Sequence, residues 1–545
     1  MSEREPSPAS RLLRGYGPLL AAALLFLLMA TFVPTVDREV VTAAGTTGGA
    51  GPGQTGGSDV LGDSTVAGGD ATGAGATGGG TAAGKGALPP GVKGGCPDRP
   101  KQVPNDPYSP PCVTFSGSNG GATSRGVTAD KIVIAARVLN EPGFQQALAD
   151  VAGAQISDTP EDVKRTVLGM ADYFNKHFQF YGRKLDIHFY DGKGSSTTEL
   201  LGGGQEEAEA DATTVAEEIK AFGDMTAATV PYHDGLTRRK VVAFGAPYTS
   251  REWMTSRRPY SWSIATDCSI VTESVAEFTV KRLAKRKAEF AGPAMQQQTR
   301  KFALLAPENP WYQECVDAGV KIATQAGSPP ADRIKYKLDL GSMSNQATNI
   351  IAKLKSEGIT SVVCGCDPVF PIFLTQKAQE QGYEPEWIVT GTALTDQDIV
   401  GQLYDQNQWK RAFGISYLGS PQPIRGSDGY FAYKSVRQDE PAFIVDIIYY
   451  QMYMIALGIQ LAGPDLTPQT FERGMFSYPG GTGRVGTWGF GPGHYTPTQD
   501  FREIWWNTDA TSSQNGKKGA YIEVDGGKRW KPGTLPSSDP KVFGK

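Results

Sequence analysis

FALLAPENPWYQECVDAGVKIATQAG, residues 302–327, decides the fold. Its first five residues form a short apolar run of the kind that parallel sheets bury on both faces. Residues 311–326 then read as a helix, closed by Gly327 in the position where a left-handed cap is needed. The same grammar continues with strand 334–340, helix 345–357, strand 361–364, helix 371–381 and strand 387–390. Each spacer has room for one crossover helix, so these elements predict a doubly wound parallel sheet.

The pattern also runs on the N-terminal side. Residues 131–139 form a β-branched apolar run that reads as a buried strand. A helix follows, with Thr159 as N-cap, Pro160 at the first helical position and Asp162 at the third. Val163, Val167, Met170, Phe174 and Phe178 mark one face of it, and Tyr181-Gly182-Arg183 ends it. Strand 185–190, helix 205–220 and strand 241–244 complete a first β-α-β-α-β set, and helix 271–287 opens the second set after Thr266. Residues 441–462 are apolar enough to resemble a membrane span. Asp446, Gln451 and Gln460 within them argue instead for a helix buried in a large lobe. The tail, 486–530, alternates turn residues with aromatic strand-like pieces such as Ile504-Trp505-Trp506.

Ahead of the folded part, residues 16–33 are almost uninterruptedly apolar, and Arg4, Arg11 and Arg14 precede them. This arrangement places the N-terminus in the cytoplasm and exports the rest. Val41-Thr42-Ala43 has the small residues of a cleavage site, but Asp37, Arg38 and Glu39 separate it from the apolar run, so the reading is an uncleaved anchor. The expected location is therefore the cell membrane, single-pass, with the folded part extracytoplasmic. Residues 41–95 are about one-third glycine with almost no aromatics, too poor in apolar side chains for a core. They read as a disordered tether with a root-mean-square span of roughly 40 Å.

The 545 residues carry a formal charge of −4, and no basic patch marks a nucleic-acid partner. Six cysteines in an exported chain point to disulfides. Cys96 and Cys112 bracket a Pro-rich loop far from the others and are expected to pair. Cys364-Gly365-Cys366 is expected to find its partners in Cys268 and Cys315, because His177, His188, His233 and His494 are too scattered to complete a metal site. No cofactor is implied. Gly481-Thr482-Gly483-Arg484-Val485-Gly486 matches a dinucleotide fingerprint as a string, yet no helix opens after it. Nucleophile-elbow and zinc-protease strings are absent from the sequence, so the chain does not read as an enzyme.

With these elements placed, residues 126–530 resemble the type I periplasmic solute-binding proteins, specifically the branched-chain-amino-acid-type binding proteins of ABC importers. The resemblance is carried by Gly126-Val127-Thr128 before the first strand, Tyr173-Phe174-Asn175 with Gly182-Arg183 following, and Asn309-Pro310-Trp311-Tyr312 after a strand. The 449–461 helix ending in Ala462-Gly463-Pro464 and the 483–490 stretch complete it. It implies an α/β fold of two doubly wound parallel-sheet lobes, joined by three hinge crossings near 264–266, 416–420 and 486–488. The chain then divides into a cytoplasmic 1–15, an anchor 16–34, a linker 35–125, and a first lobe from 126–264 and 421–487. The second lobe takes 265–420 and 488–545.

In that family a small-molecule ligand lies between the lobes, held by loops at the strand ends. The matching positions are Tyr232, His233, Asp234, Tyr248, Thr249 and Ser250 in the first lobe, and Trp311, Tyr312, Asp367 and Thr392 in the second. The resemblance implies capture of a small polar ligand for an ABC permease. A membrane-anchored sensor or cell-envelope scaffold is the alternative use of the same clamp. One position departs from the pattern. The acidic residue that holds the ammonium of an amino-acid ligand is replaced by Thr392, which speaks against a leucine-like ligand.

The uncleaved-anchor reading predicts that the membrane-bound protein keeps the residues before Ala44. N-terminal sequencing of the mature chain checks this, and a sequence starting near Ala44 would show cleavage.

Overall fold

The computed structural model of the chain describes residues 91–139, 158–245 and 248–544. The expected anchor and cleavage site, and the tether up to residue 90, lie outside the described residues.

The described part begins with a hairpin of β1 (Val92–Gly94) and β2 (Val113–Phe115), antiparallel and closed by a Cys96–Cys112 disulfide with the Cα atoms 5.6 Å apart. The loop inside this ring carries Tyr108, which is 3% exposed. Its hydroxyl donates to the carbonyl of Gly486 at 2.8 Å and accepts from the N–H of Val485 at 3.0 Å. The ring lies 4.7 Å from that of Trp488, and the Tyr108 carbonyl accepts the Tyr478 hydroxyl at 2.8 Å. Sequence elements nearly four hundred residues apart are thus joined, and the hairpin is pinned to the first lobe.

That lobe is built on five parallel strands: β3 (Lys131–Val138), β4 (Lys184–Asp191), β5 (Gly223–Asp224), β6 (Val242–Gly245) and β7 (Ser261–Ser263), in the order β4-β3-β5-β6-β7. The second lobe repeats the arrangement with β8 (Phe302–Pro307), β9 (Asp332–Tyr336), β10 (Ser361–Cys364), β11 (Glu386–Val389) and β12 (Ala412–Ser416), in the order β9-β8-β10-β11-β12. A small hairpin, β13 (Gly481–Gly483) with β14 (Gly486–Trp488), follows in the first lobe. The dinucleotide-like glycine string is this hairpin. β15 (Phe501–Thr511) and β16 (Lys518–Glu523) then extend the second sheet antiparallel beyond β12, with β17 (Arg529–Trp530) pairing β15. In both lobes the strand order reverses between the first and third parallel strands, which opens a crevice at their carboxyl ends.

The Pro160–His177 helix starts as its sequence dictates. Thr159 accepts from the N–H of Asp162, and the Asp162 carboxylate accepts from that of Thr159. It ends four residues before Tyr181. Phe180 and Tyr181 sit in the left-handed region, at φ 41° and 56°. The side-chain oxygen of Gln460 accepts from the N–H groups of Gln179 and Phe180, and the Tyr181 hydroxyl donates to the Gln460 carbonyl at 2.6 Å. These tertiary bonds, made to the Val445–Ala462 helix, break the first helix early. They also explain how that apolar helix buries a glutamine. Gln451 is satisfied in the same way by the Met225 carbonyl at 2.8 Å.

Two cysteine pairings differ from expectation. Cys268 pairs with Cys315, and Cys364 pairs with Cys366. The reason is packing: the Cys268–Phe278 and Pro310–Gln325 helices lie against each other and bring their cysteine Cα atoms to 5.9 Å. The two remaining cysteines, at the end of β10, have only each other.

The chain passes between lobes after β7, after β12, and between Tyr495, in the first lobe's core, and Phe501, in the second's. The last passage lies beyond the expected 486–488 because Trp488 belongs to the first core. Asp500 accepts from the N–H of Thr487 and from Arg529 Nε at 2.7 Å, while Arg529 also donates to the carbonyls of Tyr417 and Leu418. Asp267, which caps the Cys268–Phe278 helix, accepts the Thr496 hydroxyl at 3.2 Å. All three passages are therefore tied by two carboxylates. Gly486 is required here: at φ 94° it would place a Cβ 2.5 Å from Asp500 Oδ1.

Replacing Tyr108 by Phe leaves the Val485 N–H and Gly486 carbonyl without a buried partner, a loss of about 1–3 kcal/mol. The urea midpoint of the first lobe is expected to fall with unchanged far-ultraviolet circular dichroism. An unaltered midpoint would show that the hydroxyl does not pin the hairpin.

Candidate functional site

The crevice is walled by loops that leave the carboxyl ends of the strands. In the second lobe, Asn309-Pro310-Trp311-Tyr312 follows β8, and proline at the first helical position starts the Pro310–Gln325 helix within one turn of the strand. After β10, the Asp367 carboxylate accepts from the N–H groups of Val369 and Phe370 at 2.8 and 3.1 Å and from the Tyr336 hydroxyl at 2.5 Å. Asp367 thus fixes the turn that leads into the Phe370–Glu380 helix, and burial raises its carboxyl above the ordinary range. After β11 the chain makes a tight turn with Gly391, Ala393 and Leu394 all at positive φ, a conformation costly for the last two. The turn is held by the Thr390 hydroxyl donating to that of Thr392 at 2.9 Å and by Thr395 donating to the Thr392 carbonyl at 2.8 Å.

In the first lobe, β6 leads to Tyr248, Thr249 and Ser250. Ser250 caps the Arg251–Ser256 helix by accepting from the N–H of Trp253 at 3.0 Å. Its hydroxyl also donates across the crevice to Glu314 at 2.6 Å. Tyr248 reaches further: its ring centroid is 4.9 Å from that of Tyr312 at an interplanar angle of 32°, and its hydroxyl is 3.4 Å from that of Thr392. Burial pushes the Tyr248 hydroxyl up to about 12 and raises that of Tyr312 as well. Arg251 pairs with Glu273 of the opposite lobe, and the Thr249 carbonyl accepts the N–H of Cys268. A Cβ on Gly202 would lie 3.0 Å from Asn309 Nδ2 and 3.6 Å from the Trp311 ring, so this first-lobe turn closes on the second lobe too. The lobes are shut upon each other.

Six of the expected residues, Tyr248, Thr249, Ser250, Trp311, Tyr312 and Thr392, therefore line one seam, with Asp367 behind it holding the turn after β10. Tyr232, His233 and Asp234 do not join them. They lie on the Val230–Arg238 helix, whose length of nine residues, with Pro231 and Gly235 inside it, hid it from the periodicity. Tyr232 donates to Asp224 at 2.8 Å, meets the Tyr190 hydroxyl at 2.6 Å and carries the Arg137 guanidinium 3.9 Å above its ring. His233 is buried between the Ala227 carbonyl at 3.0 Å and the Ser261 hydroxyl at 2.9 Å. Asp234 pairs with Arg238 and Arg257. Glu314 escaped the sequence reading, although it stands three residues after Trp311 and so shares its helix face.

Beneath the first-lobe side of the crevice lies a buried ionic cluster. Arg137, at the end of β3, donates to both oxygens of Glu199 at 3.0 Å and to Asp211 at 3.3 Å, and Glu199 also accepts the Thr229 hydroxyl. Asp211 accepts from the N–H groups of Lys193 and Gly194 as well. These charges satisfy one another and anchor the loop after β4, which makes them scaffold for the crevice wall.

A family model described as periplasmic binding protein matches residues 147–510. The chain belongs to the periplasmic binding protein family. Its two lobes of order 2-1-3-4-5 have the type I fold, and the hairpin of residues 92–115 lies outside the matched region. Solved structures agree in fold. A Rhodopseudomonas palustris solute-binding protein in complex with 4-hydroxybenzoate is 13% identical, with a TM-score of 0.53 over 76% of this chain and 100% of its own. A leucine-, isoleucine-, valine-, threonine- and alanine-binding protein from Brucella ovis, in a closed conformation, is 13% identical, with a TM-score of 0.53 over 76% and 97%. An ABC transporter substrate-binding protein from Sphaerobacter thermophilus is 14% identical, with a TM-score of 0.52 over 75% and 100%. No curated protein matches the chain.

Two buried groups of this binding protein's first lobe give opposite pH signatures. Burial lowers His233 to about 4 from an ordinary 6.5, so its contribution to stability is full above pH 6.5 and is lost as pH falls toward 4. Burial raises Asp224 to about 6 from an ordinary 3.8, so its contribution is full below 3.8 and is lost as pH rises toward 6. Urea midpoints measured between pH 4 and 6.5 are expected to rise less steeply with pH in His233→Asn than in the parent, and more steeply in Asp224→Asn. Slopes that move in the same direction would contradict the assignment.

Proposed function

We propose that this chain is a cell-surface solute-binding protein, held by its N-terminal anchor and glycine-rich tether, that captures a small ligand between its lobes and presents it to an ABC-type importer. The observation that carries the reading is the seam itself. The switch-point crevices of two doubly wound sheets face each other, and loops from both lobes, Tyr248 to Ser250 on one side and Trp311, Tyr312 and Thr392 on the other, meet there. Family membership supports capture without catalysis, and the relatives of known structure include binders of hydroxybenzoate and of branched-chain amino acids. Closure on the ligand is the working motion. The lobes exchange crevice contacts with each other for contacts with the solute, and the equilibrium shifts by the difference in affinity between open and closed forms.

A second reading, a membrane-fixed ligand sensor, uses the same closure and differs only in the partner that reads it. The uncleaved anchor favours it as much as it favours transport.

Native mass spectrometry of the full-length chain, purified from its own host in detergent, tests capture. A small molecule retained at one-to-one stoichiometry is expected, and Thr392→Trp, which fills the crevice, is expected to lose it. A chain that carries no adduct, or an adduct indifferent to Thr392→Trp, would remove the crevice as the binding site. Loss of uptake of that molecule on deleting the gene would separate the importer from the sensor.

A further inference from the structure

We infer that the ligand presents a flat aromatic ring, bearing at least one hydroxyl, that enters between Tyr248 and Tyr312. This rests on the reading of the seam as the capture site, and names what the seam takes.

The two rings are in direct contact across the crevice, 4.9 Å between centroids and 32° from parallel, one carried by each lobe. They are therefore the pair that opening separates and closing reunites. A planar ring inserted between them restores a ring face to each tyrosine, while an aliphatic chain of equal area leaves both without a stacking partner. The surroundings continue the theme. Trp311 stands on the same helix turn at the Gly202 loop, and Tyr417, buried at the second interlobe passage, packs beside the turn that holds Thr392.

Hydroxyls are prominent among the polar groups of the seam, beside the Asn309 amide and the charged side chains. The Thr249 hydroxyl is fully buried and without a hydrogen-bond partner, and the Tyr248–Thr392 contact, at 3.4 Å, is long enough to yield to a better partner. Three charged groups of the seam are already engaged. Asp367 accepts from two backbone N–H groups and the Tyr336 hydroxyl, Glu314 accepts from Ser250, and Arg251 holds Glu273. An incoming ammonium would have to break one of these sets or reach Asp396, which is buried beside Gly391 with neither carboxylate oxygen hydrogen-bonded, whereas a phenolic hydroxyl meets Thr249 or Thr392 without disturbing them.

Calorimetric titration of the full-length chain in detergent, freed of ligand by dialysis from urea, distinguishes the ring from its polar groups. The probes are 4-hydroxybenzoate, phenol, trans-4-hydroxycyclohexanecarboxylate and leucine. The aromatic probes are expected to bind at least about tenfold more tightly than the saturated one, from two ring–ring contacts. Tyr312→Leu is expected to erase that preference, and Tyr312→Phe, which keeps the stack and tests folding, to retain it. Equal affinity for the saturated and aromatic acids, or no binding of either phenolic probe, overturns the aromatic class. Tight binding of leucine in place of the phenols overturns the class while leaving capture between the lobes intact. Failure of capture itself shows separately, as a chain that carries no native adduct.

Discussion

Parallel pairing is the constraint from which the rest follows. A parallel strand can be reached only by carrying the chain back along the sheet, so every strand in a set starts at one end and finishes at the other. Winding outward in both directions from the first strand leaves a crevice beside it, at the finishing end, where two loops diverge. This chain does so twice, with β3 and β5 in one lobe and β8 and β10 in the other. Three passages, tied together through Asp267, Asp500 and Arg529, hold the two finishing ends face to face. Tyr248 and Tyr312, carried by loops at those two ends, meet across the crevice.

Much of this architecture could be read from residues alone, for a physical reason. A strand covered on both faces must be apolar throughout, and a helix covering it must be apolar on one stripe, so Ser361-Val362-Val363-Cys364 and the face beginning at Val163 were visible as such. The Thr159 capping box was equally plain, since it is a local device. What escaped detection was either too short to have a period or governed from afar. β5 is two residues long, and the Val230–Arg238 helix contains a proline and a glycine. The end of the Pro160–His177 helix depends on Gln460, which no local window contains.

The site shows the same division. Loops after a strand could be located, and the resemblance matched Tyr248 to Ser250, Trp311, Tyr312 and Thr392 to such loops. Whether a loop residue faces the crevice or the scaffold was decided by partners elsewhere in the chain. Tyr232 turned inward because Asp224 and Tyr190 bind its hydroxyl, and Asp367 serves the scaffold because Tyr336 and two N–H groups converge on it. The cysteines obeyed tertiary proximity as well, Cys268 finding Cys315 on a neighbouring helix.

The hairpin of β1 and β2 has a mechanical consequence. Any tension arriving along the chain from its N-terminal side enters the folded part at β1 and is shunted by the Cys96–Cys112 ring and Tyr108 into the body of the first lobe. The attachment points, Val485 and Gly486, belong to the first lobe's side of the crevice. In the proposed surface-anchored state, shear would drag the clamp by its first lobe, and the leash would pull on one jaw alone.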